Sequence, residues 1–200
     1  MIRYQARKAD LTDMAELAGH LITFYRRFLN EGNYITTIDS ELTMIEQYIE
    51  VVKKVYALDL EVKYDVEAGI RRGYAVKLFL QPVVENAILH GIRPLGKGLL
   101  KISAKRQGKS VVFSIFDNGS GIEHDTQREL QEILSGQKTR DQMKSVGLFN
   151  VNQRIRLLYG EAYGLSLEST PGECTVARVS IPVMDEEERS RFEQQHGFSL

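Results

Sequence analysis

Tryptophan is missing from this chain, cysteine occurs once and proline four times in 200 residues. The lone Cys174 excludes an internal disulfide and a cysteine-built zinc knuckle, and such sparing use of thiols fits a reducing, cytoplasmic setting. No apolar run approaches the roughly 18 residues that would span a bilayer, and the opening MIRYQARKAD has no apolar signal core. Membrane attachment is therefore expected only through segments upstream of this sequence. An excess of one charge is missing as well. The 26 basic and 27 acidic residues leave a net charge of −1, so no basic field announces nucleic acid or an anionic membrane.

What is present is an ordinary globular composition, 42% hydrophobic and 26% charged, suited to one domain with an appended helical segment. Met14, Leu17, Leu21, Phe24, Tyr25 and Phe28 recur at three- and four-residue steps and predict a helix over 4–30. A second helix is expected over 37–58, capped by Asp39 or Ser40, with Leu42, Ile45, Tyr48, Ile49 and Val52 as its apolar stripe. The two would form an αα-hairpin. LEVKYDVE (60–67) alternates as a strand with Leu60, Val62, Tyr64 and Val66 on one face. The run from Val76 to His90 is apolar nearly all round and predicts a buried helix, started or kinked at Pro82.

Residues 98–119 read as two strands around a turn at QGKS, and 123–145 as a polar segment with a weak amphipathic stretch at Leu130, Ile133 and Leu134. A glycine-bounded helix over 146–160 precedes two strands, LSLEST and CTVARVSIPV, joined by PGE. The charged tail from Met184 is expected to be a solvated or frayed helix. Strands arriving in hairpins with helices between the pairs make an α+β fold, a two-layer α/β sandwich with one mixed sheet and helices on one face.

The stretch SIFDNGSGIE (114–123) carries the first chemical hint. The strand delivers the Asp117 carboxylate to the sheet margin, where it can accept from an amino group, and Gly119 and Gly121 lack the Cβ that would keep a flat ring or phosphate chain away. Taken alone, a tight turn after a strand explains the same residues. LQPVVENAILHGI (80–92) then places Glu85, Asn86 and His90 on an otherwise apolar helix, where an unsatisfied polar group costs roughly a few kcal/mol. Asn86 and His90 lie one turn apart on one face, and an amide oxygen suits Mg²⁺. Local hydrogen bonding of Asn86 and a helix C-terminus favouring His90 explain them equally. In SVGLFNV (145–151), Gly147 stands at a helix start, whose free N–H groups favour phosphate, after a polar segment long enough to be a lid. Thr175 opens the last strand beside Cys174, which by itself reads as a small buried hydrophobe.

In this order the motifs resemble the GHKL (Bergerat) ATP-binding fold and, more closely, the LytS/YesM-type sensor histidine kinases. LQPVVENAILHGI is similar to that family's N box, DNGSGI to its G1 box, SVGLFNVNQRIRLLYG to its G2 box and STPGECTVARVSIP to its closing strand pair. IDSELTMIEQYIEVVKKVYALDLEVKYDVE resembles the helix and strand before the N box, so the likeness covers roughly residues 5–183. It implies ATP and Mg²⁺ as ligands. Asn86 would ligate the metal with His90 near the phosphates, and Glu85 would orient an acceptor imidazole or form a surface ion pair. Asp117 would accept the adenine amino group, Gly119 and Gly121 would make room for the nucleotide, and Ile122 would pack near the base. Gly147 and Leu148 would offer N–H groups to the phosphates, while Thr175 would support the adenine end. The implied organisation is a helical remainder of the dimerisation and phosphotransfer region over 1–58, an ATP-binding catalytic domain over 59–184 and a tail over 185–200.

Four departures qualify the resemblance: Ser145 and Cys174 stand where the family usually has glycine, Leu89 where it commonly has a basic residue, and the acceptor segment resembling NPHFLYNTL is absent. His20, in LAGHLITF, does not match that segment, nor do His124 and His196. The expected activity is thus that of a histidine protein kinase incomplete in this chain, passing phosphate from Mg-ATP to a histidine outside it and then to a response regulator, as a homodimer in the full-length protein. Three alternatives remain. A GHKL ATPase would place its water-activating glutamate where Pro82 stands, and an anti-sigma serine kinase would lack the N-terminal hairpin. A non-catalytic dimerising module would hold nucleotide as a structural ligand, which Ser145 and Leu89 favour.

Overall fold

The strict alternation of SVVFSIFD sets up the sheet. In the computed structural model, which describes residues 34–134 and 146–197, Val111, Phe113, Ile115 and Asp117 are buried while Ser110, Val112, Ser114 and Phe116 are half-buried. One face is therefore packed against helices and the other left open. The expected helix over 4–30, His20 and Ser145 lie outside the described residues, as does the second half of the polar segment.

The main sheet has five strands: β2 (Asp59–Val66), β4 (Lys97–Gln107), β5 (Ser110–Asp117), β6 (Gly164–Thr170) and β7 (Cys174–Pro182). Their spatial order is β2-β4-β5-β7-β6, with β2 parallel to β4 and every other pair antiparallel. The expected mixed two-layer arrangement is thus what the chain adopts. Two short strands, β1 (Ile35–Thr37) and β3 (Tyr74–Val76), pair separately. Helix α1 (Ile38–Val55) follows β1 and buries Leu42, Ile45, Tyr48, Ile49 and Val52. These side chains share one core with Phe79, Val84 and Ile88 and with Leu100, Phe113 and Ile115 of the sheet.

Several boundaries differ from the expectation for physical reasons. Thr37, not Asp39 or Ser40, caps α1, its hydroxyl accepting from the Ser40 amide at 3.1 Å. Val76 belongs to β3, so the apolar run is a strand end followed by helix α2 (Gln81–Asn86). Pro82 stands in the first turn of α2, where its missing N–H is harmless. Beyond Asn86 the backbone widens into a π-turn, Ala87–Ile92, then a 3₁₀ turn, Arg93–Leu95. The weak amphipathic stretch is helix α3 (His124–Leu134), which buries Ile133 and Leu134. Helix α4 spans Val146–Tyr159.

Of the two expectations for the tail, the described residues bear out the solvated helix. Helix α5 (Glu186–His196) opens on a capping box in which Asp185 and Glu188 satisfy each other's backbone N–H. It docks through Phe192 on Tyr159, ring centroids 5.3 Å apart, and through Tyr74, whose hydroxyl donates to Glu186. Among the described residues no helix is long and apolar enough to cross a membrane.

Asn152 ties the end of α3 to β6. Its buried amide donates to the Leu134 carbonyl and accepts from the Leu165 amide, both at 2.8 Å. Arg156 also donates to Leu134 at 2.9 Å, so only the Leu165 N–H depends on Asn152 alone. Asn152→Ala is expected to cost about 1–3 kcal/mol, the penalty of one buried unsatisfied donor. Urea denaturation of both proteins measures it, and an unchanged midpoint would show that the amide is dispensable.

Candidate functional site

A cavity of about 440 Å³ opens between α2, the end of β5, α3 and the start of α4. Its size lies within the range of roughly 300–1,000 Å³ usual for small-molecule sites. It is lined by nine of the ten candidate residues: Glu85, Asn86, His90, Asp117, Gly121, Ile122, Gly147, Leu148 and Thr175. Gly119 is the one that does not line it.

Each wall follows from local structure. The core-facing period of β5 ends on Asp117, so the strand that packs the interior also carries a carboxylate to the cavity, 2% exposed. Strand pairing sets Thr175 directly beside it, because Asp117 and Thr175 are register partners in β5 and β7. Glu85 and Asn86, also in the lining, end α2 where the helix widens into its π-turn, a distortion that recurs at functional sites. Gly147 and Leu148 lie in the first turn of α4, whose backbone N–H groups have no partner within the helix.

The glycines of DNGSG serve the protein's own packing first. A Cβ at Gly119 would lie 2.2 Å from the Gly91 carbonyl carbon, so the space it leaves is filled by helix backbone rather than opened to a ligand. Gly121 has φ +65°, and a Cβ there would meet the Thr170 carbonyl at 2.1 Å, although the residue itself lines the cavity. Ser120 fastens the loop, its amide donating to the Gly91 carbonyl at 3.0 Å and its hydroxyl to that of His90 at 3.2 Å.

Two residues passed over by the sequence reading matter here. Gly91 is required by the carboxylate, since a Cβ on it would sit 2.3 Å from Asp117 Oδ1. Its signal was visible in LHGI, a glycine within an apolar helical run. Ser169 had no such signal. Its hydroxyl accepts from the Ile122 amide at 2.9 Å, donates to the Cys174 carbonyl at 2.7 Å and lies 2.9 Å from Thr175 Oγ1. With its single proton committed to Cys174, the remaining hydrogen bond takes its proton from Thr175, which leaves the Thr175 lone pairs for the cavity. Thr126 and Leu130 of α3, Leu89 and Gly91 of the π-turn and Pro82 of α2 complete the lining.

Burial pushes the Asp117 carboxyl up to about 6, against the opposing hydrogen bond that its Oδ1 accepts from the Gly119 amide at 3.0 Å. A dry carboxylate with few donors is poised to take a hydrogen bond from a ligand amino group. Among the described residues no three His, Cys, Asp or Glu side chains gather as a metal cluster. A cation here would draw most ligands from phosphate and water, which fits the way Mg²⁺ binds beside nucleotides with Asn86 as a single protein oxygen.

Residues 75–185 match the family described as histidine kinase-, DNA gyrase B- and HSP90-like ATPases. Among curated proteins, the chain is 26% identical to the sensor histidine kinase YesM of Bacillus subtilis (strain 168), over 90% of this chain and 29% of YesM. It is 27% identical to the sensor histidine kinase BtsS of Escherichia coli (strain K12), again over 90% of this chain and 29% of that protein. The chain therefore spans less than a third of the length of either relative. The catalytic domain of histidine kinase ThkA superposes with a TM-score of 0.55 at 16% identity, covering 76% of this chain and 97% of that one, a likeness of fold.

The Asp117 shift carries a stability consequence. Because the folded carboxyl titrates above its unfolded range, its contribution is complete below about pH 4 and lost as pH rises through about 6. Glu41, buried and also raised to about 6, adds a loss of the same sign. Unfolding free energies between pH 4 and 7.5 are thus expected to fall less for Asp117→Asn than for wild type, by on the order of 2–3 kcal/mol. Parallel curves would contradict the dry environment assigned to Asp117.

Proposed function

Since the chain belongs to the histidine kinase-, DNA gyrase B- and HSP90-like ATPase family, we propose that it is the ATP-binding catalytic core of a two-component sensor histidine kinase. It would act from the cytoplasmic part of a membrane-anchored sensor. The nucleotide-binding unit is residues 59–184, with α1 as its helical lead-in, the segment before α1 as part of a dimerising region and 185–200 as the docked tail. The observation that carries the proposal is that Asp117 of β5 and Asn86 of α2 line one cavity together with the first turn of α4. The carboxylate suits a purine amino group, and the amide with the α4 amides would suit a phosphate chain and its metal.

Asp117 accepts the adenine 6-amino hydrogen, Thr175 offers its lone pairs alongside, and Ile122 and Leu130 sandwich the base. The first-turn amides at Gly147 and Leu148 face phosphate oxygens at the positive end of α4. Asn86 would offer an amide oxygen to Mg²⁺, which would neutralise phosphate charge, and His90 is exposed at the rim. Phosphoryl transfer needs mainly positioning and charge neutralisation. An imidazole nitrogen of a histidine outside this chain attacks the γ-phosphorus, a P–N bond forms, the bond to the β,γ-bridging oxygen breaks with ADP leaving, and the imidazole proton is lost. Glu85 orients that imidazole and receives the proton. A response-regulator aspartate then takes the phosphoryl group.

A water-activating role for α2 is disfavoured, because Pro82 stands one turn before Asn86 where hydrolysis would need a carboxylate. Leu89, an apolar side chain in the lining, supports the second reading, a non-catalytic module that holds nucleotide structurally.

Calorimetric titration with Mg-ATP tests the assignment. Asp117→Asn is expected to weaken binding about ten- to a hundredfold, the worth of a hydrogen bond to a charged group. Wild-type affinity is expected to rise with pH through about 6 and then level, because the ionised carboxylate is the acceptor, whereas the variant stays flat. Equal affinity of the two proteins would defeat the adenine assignment. Acid-labile label on an added acceptor-histidine segment supports the kinase, and nucleotide binding without transfer supports the second reading.

A further inference from the structure

The segment 76–80, from the last residue of β3 to the start of α2, has four backbone groups held by side chains of distant helices. Val76 N donates to the Tyr159 hydroxyl at 2.9 Å, and Arg154 Nη2 donates to the Lys77 carbonyl at 2.7 Å. Leu78 N and Leu80 N donate to the two oxygens of Glu41, at 3.0 and 3.1 Å. Leu78 is held at φ +57°, a conformation that a leucine adopts only when its surroundings compel it. Leu80 is the N-cap residue of α2 and brings no capping side chain, so the Glu41 carboxylate serves as that helix's cap from another helix.

Glu41 is fully buried, and Arg154 lies close enough for its charge to oppose the rise that burial imposes on the carboxyl. Arg154 Nε is buried without a hydrogen-bond partner among the described residues. Buried charges so incompletely satisfied are poor stabilisers, and their better-attested use is to fix an arrangement. The arrangement fixed here is specific. Glu41 belongs to α1, Arg154 to α4, and between them they anchor the entry to α2. Helices α2 and α4 are the two that carry Asn86 and Leu148 to the cavity, yet none of the three anchoring side chains lines it.

We propose that Glu41 and Arg154 are positioning residues for the phosphate end of the cavity, so that α1 sets the grip on the triphosphate and metal through segment 76–80 without touching the ligand. This rests on the nucleotide reading above and goes beyond it, because it gives α1, the helix through which upstream sequence reaches the domain, control over one end of the site. Asp117 and Thr175 at the adenine end stand instead on β5 and β7, which supply none of the four hydrogen bonds that hold segment 76–80.

That asymmetry provides the test. The full chain, as wild type and as Glu41→Gln, is titrated with Mg-ATP and separately with adenosine, and thermal unfolding is recorded. An amide in place of the carboxylate turns a donor toward one of the two backbone N–H groups, so Mg-ATP is expected to bind about tenfold more weakly while adenosine stays within about twofold. Arg154→Met is expected to give the same split and decides the matter if Glu41→Gln does not fold. Equal weakening of both ligands, or a lowered melting temperature with both affinities unchanged, overturns the proposal and leaves the pair a purely structural one. A wild type that binds neither ligand overturns the nucleotide reading as well.

Discussion

The arrangement depends on one dry carboxylate. Asp117 occupies a core-facing position of β5, the register that elsewhere in the strand holds Val111, Phe113 and Ile115. A charged group at such a position is costly unless something compensates it. The protein supplies one amide, from Gly119, and clears space with a glycine at position 91. The other compensation is left to whatever enters the cavity. The shape of the DNGSG turn, the absence of a side chain at Gly91 and the pairing of Thr175 with Asp117 are all consequences of keeping that carboxylate in place without saturating it.

Viewed this way, the two glycines of the turn have a different cause from the one their sequence suggests. The spacing Asp-x-Gly-x-Gly reads as a clearing for a ligand. In the structure the clearing at Gly119 admits the backbone of the π-turn, so that the end of β5 and the helical stretch carrying Asn86 are held with no room for a side chain between them. The ligand cavity exists because these two elements are locked at fixed separation, with the carboxylate on one and the amide on the other. A larger residue at 119 would act on the site by prising its walls apart, not by filling it.

Much of this was legible in advance because period and punctuation are local. The alternation of β4, β5 and β7, the turns at QGKS and PGE and the stripe of α1 depend on neighbours a few residues away, and each appears where the pattern puts it. The grouping of candidate residues into one cavity was legible only from several motifs in order, none of which was specific alone. What escaped depends on contacts across the fold. Val76 looked helical because Leu78, Phe79 and Leu80 continue an apolar run, but its amide is taken by Tyr159, 83 residues away, and its strand partner is Ile35. Thr37 displaced the expected caps because the preceding strand fixes its extended backbone, with ψ at 148°. Phe192 on the Tyr159 ring and the Arg189 guanidinium over the Tyr74 ring dock the tail helix, contacts that a hydropathy pattern cannot register.

Glu41 belongs to the same class of hidden contact. In SELTMIEQY it sits beside the apolar stripe of α1, and charge patterning alone would place it in solvent. It is instead among the least exposed residues in the molecule. A carboxylate reaches such a position only if backbone donors are waiting there, and a strained, uncapped helix entry provides them. The strain at Leu78 and the missing cap at Leu80 would each destabilise the chain on its own; with Glu41 they form one device. Because the donors lie at the entry to α2 and the acceptor on α1, the device is also a mechanical link, and any displacement of α1 must either drag the entry to α2 with it or leave two N–H groups unpaired. The second course costs roughly 1–3 kcal/mol for each group, so the first is the softer response and leads from the lead-in helix to the wall that holds Asn86.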